Sequence, residues 1–359
     1  MIKYTQQSFH KNCKFMFTSI YNRILNYCNS VYKSPSSKTV KKMKEESARW
    51  FIDLLQQRYS TGTSDSPCIH TGNKCVIIMV DNTIYNPGLA DKLRGILSIY
   101  SLCKEKHIDF KINWTYPFEL TEYLLPNKIN WIIEQEKIKY SLSDSKIVVI
   151  DTNIHASRQS IIDKKIFDDT VLNSQYLQYH IYTNSIIHTQ AFPNLFRELF
   201  TPSEKLQSLI DLHHKNIGEK YVAASFRFLE LLGDFKDSEG MDEMLPPREQ
   251  KLLIEQCYIE LKKFIDTLPE FYKILVTSDS ERFLAKASTL PRTYIIPGKV
   301  IHIRYKTTDT SAYMKTFLDM FLLSGAESLV LFKTGKMYNS GFPRLASQIG
   351  NKHFKIHAF

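Results

Sequence analysis

Residues 74–97 read KCVIIMVDNTIYNPGLADKLRGIL and pass from an apolar run, through a Pro-Gly loop, into an amphipathic segment. The run Cys75–Val80 is too short for a free-standing helix and is typical of a buried strand. In the segment that follows, apolar residues recur at the spacing of one helical face, namely Leu89, Leu93, Ile96, Leu97 and Tyr100. The pattern predicts a strand, a loop and a helix in succession, which is the building unit of α/β folds.

The predicted helix, Asp91–Lys106, carries a basic residue close to its N-terminus. Asp91 suits the first turn, where it can cap or line the helix. Arg94 is mildly unfavourable there because the helix dipole already makes this end positive. A nearby anion would explain Arg94, and exposure to solvent or pairing with an acidic side chain would explain it equally well.

The composition indicates a globular protein of two domains. The chain has 359 residues, of which 43% are hydrophobic and 23% are charged, and its length favours two cores over one. A net charge of +10 suits nucleic acid, an anionic membrane surface or a polyanionic substrate such as a sugar nucleotide diphosphate. No window is apolar enough to span a membrane and residues 1–12 are polar, so we expect a cytoplasmic protein.

The six cysteines stand without Cys-x-x-Cys pairs or histidines at zinc-binding spacing. They are expected to be reduced thiols, with Cys75 and Cys257 buried. The sequence also lacks an Asp-x-Asp pair, the usual carboxylates for holding a metal on a nucleotide sugar, so no metal site is predicted.

Residues 1–73 are predicted to be a helical N-terminal extension and linker. Helical periodicity occurs at 17–25 and 50–55, on either side of the basic run Lys38–Lys44, and residues 60–73 are rich in serine, threonine, glycine and proline. The extension either packs as core helices with a solvated charged face or associates peripherally with the inner face of the membrane through its basic flank.

Beyond Lys74 the sequence alternates between strand and helix patterns, except that residues 155–214 are weakly patterned before a helix ending near His213. Strands are predicted at Cys75–Val80, Phe110–Asn113, Lys146–Asp151, Tyr221–Phe228, Lys273–Thr277, Val300–Tyr305, Ser328–Phe332 and His353–His357. Helices are predicted at Asp91–Lys106, Pro247–Leu268, Ser280–Ser288, Ser311–Ser324 and Phe342–Ile349. The alternation predicts parallel sheets covered by helices, in two α/β domains over residues 74–216 and 217–359.

Ligands of parallel sheets bind beyond the carboxyl ends of the strands, so the loops there hold the candidate site residues. Arg227 follows the first strand of the second half and precedes Glu230 and Asp234. A guanidinium at a strand end can bind phosphate through paired hydrogen bonds. An edge arginine paired with Glu230 is the alternative interpretation.

Two further loops carry polar groups at the start of a helix. Ser278 and Asp279 follow the next strand, where they suit a helix cap, a ligand contact or both. Residues 333–347 form a glycine-interrupted loop whose amides and hydroxyls can bind phosphate, unless it is a plain surface loop. Its candidate residues are Ser340, Gly341, Phe342 and Arg344.

Four segments resemble, in order, the motifs of the fucosyltransferase-like superfamily of GT-B glycosyltransferases. Residues 88–95 resemble its opening glycine-rich motif, with Ala90 in place of a glycine. Residues 225–234 are similar to His-x-Arg-x-Gly-Asp, without the histidine, and residues 277–280 are similar to Thr/Ser-Asp-Asp/Ser. Residues 340–346 resemble Ser-x-Phe-Ser-x-Leu-Ala, with Pro343 in place of the second serine.

The resemblance implies an α/β, GT-B-like fold with two facing Rossmann-like domains behind the helical extension. Residues 74–216 would be the acceptor-side domain, and residues 217–359 would bind the nucleotide-sugar donor. The implied activity is that of an inverting glycosyltransferase that moves fucose from GDP-fucose to a hydroxyl of a glycan acceptor, in a surface polysaccharide or oligosaccharide.

The resemblance also assigns roles to the candidate residues. The donor-binding group comprises Arg94, Ser278, Asp279, Ser340, Gly341, Phe342 and Arg344. The catalytic group comprises Arg227, which would hold the diphosphate, and three candidate bases for the acceptor hydroxyl, Asp91, Glu230 and Asp234. No metal cofactor is expected, because basic residues would take its place.

Two other functions stay open. One is a glycosyltransferase of the same shape that uses another nucleotide sugar, and the other is a non-catalytic basic protein that binds nucleic acid or acts as a scaffold. The lysines are spread along the chain and no DNA- or RNA-binding motif occurs, so nucleic acid is not an expected partner.

Overall fold

A computed structural model describes residues 58–59, 73–81, 88–150, 164–165, 167–183, 192–235, 244–303 and 306–359. The chain divides into two compact units. The first lies within Met1–Asn86, Lys92–Tyr116 and Trp131–His188, and the second within Pro87–Asp91, Pro117–Asn130 and Thr189–Phe359.

The helices predicted at 17–25 and 50–55, and the basic flank proposed for membrane association, lie outside the described residues. The domain boundaries predicted from the sequence stay predictions.

The described elements are numbered in chain order. The strands are β1 (Cys75–Val80), β2 (Asp109–Trp114), β3 (Leu124–Pro126), β4 (Ser145–Ile150), β5 (Gln178–Thr183), β6 (Phe200–Pro202), β7 (Tyr221–Phe226), β8 (Lys273–Ser278), β9 (Thr293–Tyr294), β10 (Ser328–Lys333) and β11 (His353–Ala358). The helices are α1 (Leu89–Lys106), α2 (Phe192–Leu199), α3 (Glu204–Ile217), α4 (Pro247–Asp266), α5 (Glu281–Ala287), α6 (Ser311–Gly325) and α7 (Gly341–Gly350). None of these helices is long and apolar enough to cross a membrane.

The first unit contains a parallel four-stranded sheet in the order β2-β1-β5-β4. β1 is central, and the side chains of Val76, Ile77, Ile78 and Met79 are buried, as expected for a strand covered on both faces. The strand and the helix predicted from residues 74–97 are confirmed at β1 and α1, and α1 begins at Leu89. The loop predicted between them lies mostly outside the described residues.

The sequence did not predict β5, because its pattern is partly polar although it lies inside the sheet; the short strands β3, β6 and β9 were not predicted either. The Gln178 side chain accepts a hydrogen bond from the Lys139 amide at 2.8 Å and donates one to the Lys137 carbonyl at 2.7 Å. His180 is fully buried between the Tyr59 hydroxyl, 2.5 Å from Nδ1, and the side-chain Oε1 of Gln178, 3.1 Å from Nε2. These partners allow two polar side chains to occupy a buried strand.

The second unit contains a parallel sheet in the order β11-β10-β7-β8-β9. Counted within the sheet this is the order 3-2-1-4-5 read from β9, which is the Rossmann arrangement. Helices α4 and α5 cover one face in a core that includes Phe226, Val276, Cys257 and Phe283. On the opposite face, the Tyr221 hydroxyl donates to the Leu322 carbonyl of α6 at 2.6 Å. Helices on both faces confirm the predicted α/β class.

The strand predicted at Val300–Tyr305 is wrong over its described part, because residues 300–303 have no strand structure. The position beside β8 is taken by the short strand β9, where Ile274 pairs with Thr293. Ile303 is buried all the same. The apolar run therefore belongs to an irregular segment with a buried side chain. Its sequence pattern is the same as that of a short buried strand, so the pattern alone does not distinguish the two.

Two of the described cysteines are buried, Cys103 and Cys257, and Cys75 is half-buried; all three are free thiols. Burial raises the pKa of Cys75 and of Cys257 to about 12. The described thiols are therefore protonated at neutral pH, as inert structural residues are.

Candidate functional site

The carboxyl ends of β7 and β10 lie side by side at the centre of the second sheet. The chain leaves β7 toward β8 on one side, and β10 continues to β11 on the other. Such a change of direction opens a crevice outside the strand ends, where ligands of open α/β sheets bind. The loops after β7, β8 and β10 meet at this edge.

Arg227 is the first residue after β7, and its guanidinium is held on two sides. Nε lies 3.3 Å from Oδ2 of Asp279, which follows β8. The guanidinium carbon lies 4.4 Å from the centroid of the Phe235 ring, within the range of a cation–π contact. The arginine side chain is 19% exposed, whereas that of Asp279 is fully buried. Arg227 is therefore a partly exposed cation in a fixed orientation.

Asp279 joins the loop after β8 to the loop after β7. Its Oδ1 accepts a hydrogen bond from the Phe228 amide at 2.9 Å, and its Oδ2 accepts one from the Leu229 amide at 2.7 Å. Burial raises the pKa of the Asp279 carboxyl above its ordinary value, and the Arg227 guanidinium and the two amides oppose that shift. Leu229 has a φ of 55°, a left-handed conformation that is unfavourable for a residue with a Cβ.

Asp234 caps helix α5 from the end of the same loop. Its Oδ2 accepts hydrogen bonds from the Ser280 hydroxyl at 2.7 Å and from the Arg282 amide at 3.1 Å. Ser280 in turn accepts from the Phe283 amide at 3.1 Å, and Ser278 accepts from the Ser280 amide at 3.1 Å. Asp234 and Ser278 therefore stabilise the start of α5 at the edge of the site.

The loop after β10 ends at Ser340, which caps helix α7. The Ser340 hydroxyl accepts from the Phe342 amide at 3.3 Å, and Gly341 is the first residue of the helix. The Tyr338 amide donates to the Arg227 carbonyl at 3.0 Å, so this loop lies against the one that carries Arg227. Arg344 is exposed, with its guanidinium carbon 5.0 Å from the centroid of the Phe354 ring on β11.

The remaining candidates are Glu230, on a short 3-10 turn, and Asp91 and Arg94, near the start of α1. Glu230 lies in the 3-10 turn Leu229–Leu232, directly after Arg227 in the loop. Asp91 is in the first turn of α1 and belongs to the second unit, whereas Arg94 belongs to the first unit. The structure thus brings together Arg227, Ser278, Asp279, Asp234 and the Ser340 loop within the second unit.

Sequence reasoning missed Phe235, which lies under the Arg227 guanidinium, and Arg282, whose Nη1 donates to the Leu232 carbonyl at 2.9 Å and to the Gln250 side chain at 2.7 Å. Neither residue has a periodic or motif signal. Among the described residues, no group of three or more histidine, cysteine, aspartate or glutamate side chains could hold a metal ion.

Comparisons with known proteins identify the fold. No family model matches the sequence, and no curated protein matches it. The chain is similar to crystal structures of NodZ alpha-1,6-fucosyltransferase, one soaked with GDP-fucose (TM-score 0.50) and one co-crystallized with GDP (TM-score 0.51). Sequence identity is 13% to both, and the matches cover 77% of this chain and 93% and 92% of the NodZ chains. A Se-Met structure of NodZ from Bradyrhizobium matches equally, with a TM-score of 0.50 at 13% identity over 77% of this chain and 92% of that chain. The protein therefore has the GT-B-like α/β fold of fucosyltransferase structures, as the sequence motifs imply.

Proposed function

We propose that the protein is an inverting glycosyltransferase that moves fucose from GDP-fucose to a hydroxyl of a glycan acceptor. The observation that carries the proposal is the fixed, partly exposed Arg227 guanidinium at the end of β7, beside the Ser340 loop. This is the position at which sheets of the order 3-2-1-4-5 bind nucleotides. The crystal structures of NodZ with GDP and with GDP-fucose support the choice of donor.

Transfer of a sugar from a nucleoside diphosphate leaves negative charge on the departing diphosphate. Arg227 is already oriented by Asp279 and Phe235, so it would stabilise this charge without a costly reorganisation. The N-terminus of α7, which begins at Gly341 after Ser340, would add the positive end of the helix dipole and main-chain amide donors for the diphosphate. Ser278 and Phe342 would border the nucleotide, and Arg344 would add charge.

The acceptor hydroxyl must lose a proton as the new bond forms. Oδ2 of Asp234 accepts two hydrogen bonds at the start of α5 and its Oδ1 is buried, which suits a structural role better than that of a base. We therefore propose Glu230 and Asp91 as the first carboxylates to test, with Arg94 as a further donor contact.

We propose that the reaction needs no divalent metal. A metal on a sugar nucleotide neutralises the diphosphate, and Arg227 with the positive end of α7 would perform the same task. The partners would then be a GDP-sugar donor and a glycan, without nucleic acid.

Calorimetry and thermal melting with GDP, UDP and ADP test the donor assignment. We expect GDP to stabilise the protein, by about 2.7 kcal/mol at a concentration one hundred times its Kd, and UDP and ADP to give much smaller shifts. Equal shifts with all three would contradict a guanosine donor. Tight, salt-sensitive binding of oligonucleotides without any response to GDP would favour the nucleic-acid-binding alternative.

A further inference from the structure

The Asp279 carboxylate is enclosed by donors of its own chain. Oδ1 accepts from the Phe228 amide, and Oδ2 accepts from the Leu229 amide and faces Arg227 Nε at 3.3 Å. Its side chain has no exposed surface. A guanine ring could reach this carboxylate only by displacing the groups that cover it, among them the loop after β7, because the Asp279 side chain has no exposed surface.

We infer that Asp279 is a positioning residue, which holds Arg227 toward the donor diphosphate and does not contact the nucleoside. The inference rests on the proposed function, since it assigns Arg227 to the diphosphate. It replaces the nucleotide contact that sequence resemblance implies for Asp279 with a role inside the protein.

Three contacts on Arg227 explain what this positioning achieves. Asp279 fixes Nε, the Phe235 ring supports the flat side of the guanidinium, and the Tyr338 amide holds the Arg227 carbonyl. A free arginine side chain samples many rotamers, and ordering it on binding would weaken affinity. An arginine already held in one orientation avoids that loss.

The same carboxylate also fixes the main chain that follows Arg227. Leu229 adopts a left-handed conformation, and such conformations persist where surrounding contacts hold them. The hydrogen bond from the Leu229 amide to Asp279 is one such contact. Asp279 therefore determines both the direction of the arginine and the path of the loop behind it.

Binding of GDP, IDP and pyrophosphate to the Asp279→Asn variant, measured by calorimetry, distinguishes the two roles. IDP lacks the exocyclic amino group of guanine, and pyrophosphate lacks the nucleoside. A positioning role predicts that all three ligands weaken by the same factor, about tenfold or more, as expected for a charged hydrogen bond. A selective loss of the preference for GDP over IDP, with pyrophosphate binding unchanged, would overturn the inference.

A double substitution gives a readout that loss of stability alone would not produce. In an Arg227→Ala background, Asp279→Asn should cause no further loss of pyrophosphate affinity, because the group that it positions is gone. Fully additive losses would contradict the inference. Asp266→Asn, an exposed carboxylate at the end of α4, is the matched control and should bind all three ligands normally.

Folding is checked by melting each variant. If Asp279→Asn does not fold, Phe235→Leu removes the other support of the guanidinium and should give the same uniform weakening. Normal binding by a folded Phe235→Leu protein would then count against the inference. A wild-type protein that binds none of the three ligands would instead contradict the proposed function.

Discussion

The Tyr338 amide donates a hydrogen bond to the Arg227 carbonyl, with nitrogen and oxygen 3.0 Å apart. Both atoms belong to the main chain. A substitution of the Arg227 side chain therefore keeps this hydrogen bond, provided that the path of the loop does not change. The loops after β7 and β10 therefore stay joined when the guanidinium is removed. The main chain of Arg227 therefore joins the two loops, and its side chain is the group proposed to bind the ligand.

Arg227→Ala should lower the rate of GDP-fucose hydrolysis by on the order of a hundred- to a thousandfold, the effect of losing one donor to a developing charge. Stability should fall by only about 1–3 kcal/mol, because Asp279 keeps its two amide donors. Arg227→Lys should recover more stability than activity, since an ammonium does not reproduce the planar fork. A folded Arg227→Ala protein with more than about a third of wild-type activity would show that the arginine is an ordinary edge residue, since such a loss is under ~1 kcal/mol.

Lys315→Met should destabilise the second unit by about 3–5 kcal/mol, because it leaves a buried carboxylate without its cation. In α6, Lys315 Nζ lies 2.5 Å and 2.6 Å from the two carboxylate oxygens of Asp319, and both residues are buried. The double variant Lys315→Met/Asp319→Leu should regain most of that loss in chemical denaturation. A double variant as unstable as the single one would contradict this account of the pair.

His180 should make the protein less stable as the pH falls. Burial lowers the pKa of His180 to about 3, against 6.5 in the unfolded chain. Between these two pH values the unfolded state binds a proton at His180 and the folded state does not. Its contribution is complete above pH 6.5 and is lost as the pH falls toward 3, by about 1.4 kcal/mol per pH unit. Denaturation across this range should show a shallower slope for His180→Asn, whereas the exposed control His353→Asn should keep the wild-type slope.

Gly95→Ala should destabilise the protein, although alanine is favoured over glycine in helices by about 1 kcal/mol. A Cβ at Gly95 would lie 2.7 Å from the Thr183 carbonyl oxygen, so α1 could no longer approach β5 as closely. Overpacking of this kind costs about 1–3 kcal/mol. Lys104→Ala, at an exposed position of the same helix, is the control for the melting measurements. A gain in melting temperature for Gly95→Ala would contradict the close approach.

Hydrolysis of GDP-fucose should continue in EDTA, because Arg227 and the start of α7 are proposed to balance the charge of the diphosphate. The assay needs no acceptor. Activity lost in EDTA and restored by manganese would show that the reaction uses a metal.

The sequence predicts those parts of the fold where local pattern and environment agree. The buried positions of β1 are apolar and those of α1 and of the strand ahead of Arg227 are mostly apolar, so the hydrophobic pattern identifies these elements. β5 was missed because Gln178 and His180 are buried with partners from distant segments, and no local pattern reveals such partners. The prediction at Val300–Tyr305 was wrong for the opposite reason, since its described part is partly apolar and Ile303 is buried, yet it forms no strand.

The same limit applies to the site. The position of Arg227 at a strand end follows from the local sequence, and the motif resemblance pointed to the three loops that meet there. The orientation of the Asp279 carboxylate does not follow, because it depends on amides from a loop that is remote in sequence. Motifs therefore indicated the residues that are proposed for the site, whereas three-dimensional contacts are needed to propose which of them contact a ligand and which support another residue.

The strand order of the first unit restricts how that unit can fold. β5 lies between β1 and β4, yet it follows both of them in the chain. During synthesis β1 and β4 emerge from the ribosome before the strand that joins them, and their facing edges stay open until residues up to Thr183 are available. Pairing of Cys75 with Gln178 closes a long loop, a non-local step that slows folding. Strand edges left open in that interval are prone to aggregation.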